Sequence, residues 1–186
     1  MEQHRLETHF IRHFETAFHL GLFEKYEEIS DLVTSVASSG ELYFVPSFSG
    51  MQAPVNDEAA ATGFIGMRPS TRKSHLLRAA VESLAFRVYQ LHQLMTAEAK
   101  KMPDVIRVDG GVSHNDFLMQ LIADLTNRSV ERPTSIETAV HGAAFMAGLE
   151  GGVWASRDKL KSLYCTERVF APVSFLLLNR LCLNQP

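Results

Sequence analysis

Three things are scarce in this 186-residue chain: cysteine, uninterrupted apolar sequence and surplus positive charge. The two cysteines, Cys165 and Cys182, lack the spacing of a zinc motif and do not indicate a disulfide framework. The longest late apolar run, residues 173–178, is far shorter than the roughly 18 residues of a membrane span. The net charge of −3 and the pI of about 6.2 predict no nucleic-acid partner. Because the polar N-terminus carries no secretory signal, we expect a cytoplasmic protein without a membrane span.

The composition is typical of a globular protein, with 46% hydrophobic and 21% charged residues. The length suits one domain, alone or with appendages. Apolar periodicity predicts helices at 1–28, 74–100, 115–125, 138–149 and 156–163, and strands at 41–48, 62–67, 104–109 and 128–133. This alternation predicts an α/β fold with a largely covered sheet.

Histidines are concentrated in the predicted first helix, which carries four of the eight in the chain. His9 and His13 are spaced to share a helix face, as a metal-binding pair would be. They lack the glutamate of an HExxH motif and an obvious third ligand. We therefore favour a solvated helix face and predict no metal site.

Helix 138–149 has an unusual face of small residues: Gly142, Ala143, Ala144, Ala147 and Gly148. Small side chains allow a helix to approach a neighbour closely, which would justify the cost of glycine in a helix.

The stretch RVDGGVSHNDFLMQ (107–120) is the main candidate for chemistry. A predicted strand ends at Asp109, two glycines follow, and a predicted helix begins at Asn115. Gly110 and Gly111 could form a tight turn with Asn115 as the helix N-cap. The same three residues could instead hold a nucleotide beyond the end of the strand. Chemistry alone favours the turn, since no GxGxxG or Walker motif occurs in the chain.

Five segments occur in order along the chain: FVPSFSGMQAP (44–54), GMRPSTRKSHLLRAAVESLAF (66–86), RVDGGVSHNDFLMQLIADL (107–125), VERP (130–133) and TAVHGAAFMAGLEGGVW (138–154). Together they resemble the C-terminal domain of the FGGY carbohydrate kinases, most of all the divergent animal branch of the glycerol kinases. The spacing from Gly66-Met67 through His75-Leu76 to Ala79 and Glu82 is similar to the second signature of that family. The resemblance implies an actin-like ATPase (ribonuclease H-like) domain with a mixed sheet flanked by helices.

The resemblance also implies a function. Glycerol kinases transfer the γ-phosphoryl group of ATP to glycerol, with Mg²⁺ accompanying the nucleotide. Gly111 and Asn115 fall on positions that contact the nucleotide in the family, with Gly110 beside them. The expected partners are therefore ATP or ADP and, in a full-length enzyme, glycerol.

The resemblance further implies that the catalytic parts of the kinase lie in an N-terminal domain absent from this chain. Those parts are the phosphate-binding hairpin, the residues that hold glycerol and the aspartate base. We therefore predict no catalytic residue here, and Asp57, Asp109 and Asp116 are poor candidates for the base. The isolated chain is expected to be inactive.

Some positions depart from the glycerol kinase pattern. The chain has APVN (53–56) where glycerol kinases carry APYW, Thr62-Gly63 in place of Arg-Gly, and His141 in place of leucine. Both ends also differ from the family. We thus divide the chain into a divergent helical segment (1–28), a nucleotide-binding domain (29–163) and a divergent tail (164–186), and expect a truncated or alternatively spliced product.

Two alternative functions stay open. The chain could be a non-catalytic fragment that binds nucleotide weakly or regulates a full-length kinase, or part of a kinase for another sugar or polyol. Homo-oligomerisation and association with a full-length kinase stay open as well, because an exposed family interface would leave apolar surface uncovered.

Overall fold

A computed structural model of the chain describes residues 15, 17–99, 103–135, 137–161 and 163–173. The histidine pair His9 and His13, Cys182 and most of the predicted tail lie outside the described residues. The elements in chain order are α1 (Glu28–Thr34), β1 (Tyr43–Val45), β2 (Gly63–Ile65), α2 (Lys73–Glu98), β3 (Val105–Arg107), the 3₁₀ helix Gly111–His114, α3 (Asp116–Thr126), β4 (Ser129–Pro133), α4 (Thr138–Glu150), α5 (Arg157–Lys161) and β5 (Thr166–Phe170). Every helix and strand predicted between residues 41 and 163 has a counterpart among them.

The strands form two separate sheets. β1 and β2 pair antiparallel, with Phe44 opposite Phe64. In the other sheet the order is β3-β4-β5, with β3 parallel to β4 and β5 antiparallel to it. This second sheet is therefore mixed, as the resemblance implied.

The main hydrophobic core lies between the mixed sheet and helices α1, α2 and α3. The long helix α2 contributes to two hydrophobic clusters. Leu77, Val81 and Leu84 belong to the main core. Ala79 and Ala80 pack against the β1–β2 sheet. The buried core residues are Ala17, Leu22, Phe23, Ile29, Val33, Leu77, Val81, Leu84, Ala85, Leu118, Met119, Ile122, Ala123, Val130 and Phe170.

The prediction of one helix over 1–28 is wrong in its described part. Residues 17–19 are helical, but the chain turns at Gly21, whose φ is +65°. The amide of Gly21 donates to Phe18 O at 2.8 Å and that of Leu22 to Ala17 O at 2.9 Å. These two bonds form a Schellman motif, which ends a helix at a left-handed glycine. The apolar periodicity continued past this glycine and concealed the break.

The strand β5 was not predicted, and residues 164–186 were assigned to a divergent tail. Its sequence TERVF carries two charged residues, and of its five residues Phe170 alone is buried, at 4% exposure. Such a strand lacks the apolar alternation from which strands are recognised. The domain boundaries at residues 28 and 163 stay a prediction. Nevertheless, the described residues beyond both boundaries contribute Ala17, Leu22, Phe23 and Phe170 to the main core.

The small-residue face of α4 has a close neighbour at one end. A Cβ built on Gly148 would lie 2.1 Å from Cζ3 of Trp154, so the indole packs directly against this glycine. A Cβ on Gly142 would meet no atom within 4 Å. The close approach is therefore local to Gly148.

Within the described part of the chain, no helix is long and apolar enough to cross a membrane.

Candidate functional site

The stretch with two glycines lies where β3 leaves the mixed sheet. The amide of Val108 still donates to Glu131 O at 3.0 Å, so pairing with β4 continues one residue beyond β3. Because β3 and β4 are parallel, the segments that follow them leave the sheet at the same edge. Ligands of open α/β sheets bind beyond this edge.

Gly110 makes the turn that follows β3. Its backbone angles, φ 79° and ψ 169°, are readily adopted only by glycine. The carbonyl of Gly110 accepts hydrogen bonds from the amide of Ser113 at 3.0 Å and from its hydroxyl at 2.7 Å. Ser113 is 1% exposed. The interpretation as a tight turn is therefore correct for Gly110.

Gly111 differs from Gly110, since its φ lies outside the left-handed region. The residue is exposed, and a Cβ built on it meets nothing within 4 Å. Neither backbone geometry nor packing in the described structure thus requires glycine here. A missing side chain at an open position leaves room for a ligand to approach the backbone.

Asn115 is the N-cap of α3. Its Oδ1 accepts a hydrogen bond from the amide of Leu118 at 3.0 Å, and the residue is 8% exposed. The structure thus brings Gly110, Gly111 and Asn115 together in one short segment of turn, 3₁₀ helix and helix start. Their role as nucleotide contacts stays a prediction.

Arg132 lies beneath this segment and was not singled out from the sequence. It projects from β4, is 5% exposed, and its Nη1 donates to Ser113 O at 2.8 Å and to Asp116 Oδ1 at 2.9 Å. Its Nε and Nη2 donate to the two carboxylate oxygens of Glu167 at 3.1 Å each. Burial lowers the pKa of Arg132, but the hydrogen bonds and charges of Glu167 and Asp116 outweigh it, so the pKa is raised.

The three aspartates considered as candidates for the catalytic base each lie in a different environment. Asp57 lies in a loop, where its backbone pairs with that of Met51 and its Oδ1 accepts from the amide of Ala59 at 2.9 Å. Asp116 is ion-paired with Arg132 and Arg168. Asp109 follows β3 at the surface.

A separate cavity of about 340 Å³ lies between the loop after β1 and the middle of α2. Arg87 lines it and donates to Ala53 O at 2.6 Å and to Gln90 Oε1 at 2.8 Å. Burial lowers the pKa of Arg87. No predicted site residue lines this cavity, so it is distinct from the glycine-containing segment.

The residues described by the structure contain no cluster of three or more His, Cys, Asp or Glu side chains arranged to hold a metal ion.

Residues 2–150 match the profile of the FGGY family of carbohydrate kinases, C-terminal domain. The chain is 48% identical over 153 residues to glycerol kinase 5 of Danio rerio, which covers 82% of this chain and 29% of that protein. It is 45% identical to glycerol kinase 5 of Homo sapiens with the same coverage. The chain thus spans under a third of the length of these relatives.

Solved structures show the same fold. The crystal structure of Plasmodium falciparum glycerol kinase with ADP superimposes with a TM-score of 0.76 at 32% identity, covering 86% of this chain and 32% of that one. The ligand-bound xylulose kinase of Lactobacillus acidophilus has a TM-score of 0.68 at 20% identity, covering 92% of this chain and 38% of that one. The second likeness shows the fold alone.

The mixed sheet flanked by helices is therefore the predicted actin-like ATPase fold of these kinases. With a family profile that matches from residue 2 to residue 150, the chain belongs to the FGGY family of carbohydrate kinases and corresponds to their C-terminal domain.

Proposed function

We propose that this chain is the adenosine-binding part of a glycerol kinase-like enzyme that transfers the γ-phosphoryl group of ATP to glycerol, giving glycerol 3-phosphate. The observation that carries the proposal is Gly111, a glycine that is exposed, faces open space and is not demanded by the backbone. A nucleoside could lie directly over it. The similarity to a glycerol kinase solved with ADP supports this choice of ligand.

The chemistry of the segment fits a nucleoside better than a phosphate. A free helix N-terminus attracts phosphate through its unpaired amides. At α3 the side chain of Asn115 already occupies the amide of Leu118, and Asp116 adds a carboxylate to the first turn. The phosphates would therefore lie away from α3, with Mg²⁺ accompanying them.

The transfer itself requires residues that we do not assign to this chain. Phosphoryl transfer needs a base near the attacking hydroxyl and a clamp on the γ-phosphoryl group. Asp57 and Asp116 are engaged in local structure, as described above. We accordingly propose that the base, the glycerol contacts and the phosphate clamp belong to the part of the relatives that this chain does not span.

Titration with ADP in a calorimeter tests the nucleotide site. Gly111→Val is expected to fold, because a Cβ built at this position meets no atom within 4 Å. It should lose most ADP affinity, because the branched side chain would occupy the space proposed for the ligand. Gly63→Val is the matched control, as its Cβ also meets nothing within 4 Å and valine suits a strand. If Gly111→Val binds ADP as the unmodified chain does, the assignment is wrong.

A turnover assay tests the proposal that the catalytic residues do not belong to this chain. Purified chain supplied with ATP, Mg²⁺ and glycerol should release no ADP above the background rate of ATP hydrolysis. Glycerol-dependent ADP release by the chain alone would contradict the proposal that the catalytic residues lie elsewhere.

Glycerol is favoured over a sugar or another polyol as the substrate of the whole enzyme. Relatives named glycerol kinase reach 48% identity, whereas the xylulose kinases share the fold at about 20%.

A further inference from the structure

We propose that Arg132 is a positioning residue for the nucleotide site: it fixes the 3₁₀ helix Gly111–His114 and the start of α3, and so sets the geometry of Gly111 and Asn115. This inference rests on the proposed function, because it concerns the same site. Arg132 would act through the backbone of Ser113 and the side chain of Asp116, without contact with the ligand.

The contact with Ser113 is the first reason. Ser113 is almost fully buried, and its amide and hydroxyl both bind the carbonyl of Gly110. Its own carbonyl accepts a hydrogen bond from Nη1 of Arg132 at 2.8 Å. A buried carbonyl without a partner is costly, so loss of this donor would favour a different conformation of the 3₁₀ helix. That helix begins at Gly111.

The contact with Asp116 is the second reason. The same Nη1 donates to Asp116 Oδ1 at 2.9 Å, and Asp116 is the first residue of α3. The N-cap Asn115 lies between Ser113 and Asp116 in sequence. One nitrogen of Arg132 therefore holds the residues on both sides of Asn115, which restricts the backbone at this position.

Arg132 itself is held from the opposite side. Its Nε and Nη2 form a two-pronged pair with the carboxylate of Glu167 on β5. The guanidinium carbon also lies 5.5 Å from the centre of the Phe170 ring. A planar guanidinium can donate hydrogen bonds to Glu167 on one side and to Ser113 and Asp116 on the other, whereas the single ammonium group of lysine cannot reach both sides.

A mutation of Arg132 combines two effects: loss of the anchor on β5 and loss of the contacts with the 3₁₀ helix and α3. Variants of its partners can separate them. Glu167→Gln weakens the anchor on β5 but leaves both contacts with the 3₁₀ segment and α3. Arg132→Gln removes both groups of contacts. Arg128→Gln is a further control, because Arg128 directly precedes β4 and binds Asp104, away from the segment.

The experiment uses the full chain and two measurements on each variant: the dissociation constant for ADP, and the ¹H–¹⁵N amide shifts of Gly110, Gly111, Ser113 and Asn115 without ligand. Arg132→Gln should weaken ADP binding by about tenfold and move these four amides. Glu167→Gln should lower the melting temperature but keep ADP affinity within about twofold. Arg128→Gln should leave both affinity and these amides unchanged. A purely structural role would instead make affinity follow melting temperature in all three variants.

The inference is overturned if Arg132→Gln folds and binds ADP within twofold of the unmodified chain. Should that variant not fold, Arg132→Lys replaces it, with weakened ADP binding and shifted amides expected and unchanged values contradicting the inference. If the unmodified chain does not bind ADP, the proposed function fails by itself. The amide shifts then still decide whether Arg132 holds the segment, since they are measured without ligand.

Discussion

Helices α3 and α4 each follow a strand of the same sheet and are both rich in apolar residues, yet they are buried very differently. In α3, Leu118, Met119, Ile122 and Ala123 are all 3% exposed or less. In α4 the buried residue is Gly148, whereas Val140 and Met146 are each 62% exposed.

The difference lies in the arrangement of the apolar residues. In α3 they form one face, with polar residues such as Gln120 and Asp124 directed elsewhere, so a single contact with the core covers them. In α4, TAVHGAAFMAGLE, they surround the helix. A helix that is apolar all round is normally buried in a larger core. The chain spans about 30% of the length of its relatives. We therefore expect that, in a whole kinase, residues beyond this chain pack against the exposed apolar side chains of α4.

The largest predicted effect is the difference in the free energy of unfolding between a variant of the buried face of α3 and a variant of the exposed face of α4. Leu118→Ala should lower the free energy of unfolding by about 2–5 kcal/mol, because it leaves a cavity in the main core. Met146→Ala should change it by less than about 0.5 kcal/mol, because the side chain is already exposed. Urea denaturation of both variants measures the difference. Equal losses would show that α4 is covered within this chain.

A smaller effect is expected at the one place where α4 is closely packed. Gly148→Val places a side chain where Trp154 lies, so the indole must move, at a cost of about 1–3 kcal/mol. Gly142→Val is the matched control on the same helix, since a Cβ built on Gly142 meets no atom within 4 Å. Trp154 is the single tryptophan, so its fluorescence reports the displacement directly. A shifted emission in Gly148→Val with none in Gly142→Val is expected; equal spectra would contradict the packing.

The sequence predicted the framework of the site well because its signals are local. A β-branched strand, a glycine turn, the capping Asn115 and the apolar face of α3 follow one another within twenty residues or so, and each is recognisable from neighbouring positions. The helix stop at Gly21 was missed, although glycine is the usual stop signal, because apolar periodicity continued on both sides of it.

Arg132 could not be recognised in the same way, because its contacts are distant in sequence. Its partners Asp116 and Ser113 lie 16 and 19 residues before it, and Glu167 lies 35 residues after it. The partner strand β5 was itself unrecognised. An arginine in a strand predicts only that a counter-charge is nearby, and the fold decides which one it meets.

The smallest effect on stability, and the sharpest test of the exposed face, concerns association. The double variant Val140→Gln and Met146→Gln should leave the free energy of unfolding within about 0.5 kcal/mol, because both side chains are exposed. We propose that this exposed apolar face promotes contact between copies of the chain, so the double variant should show less concentration-dependent self-association in sedimentation experiments than the unmodified chain. Ile65→Gln is the control, since Ile65 is also 62% exposed but lies on β2. If the double variant associates as the unmodified chain does, the exposed face of α4 does not mediate association between copies of the chain.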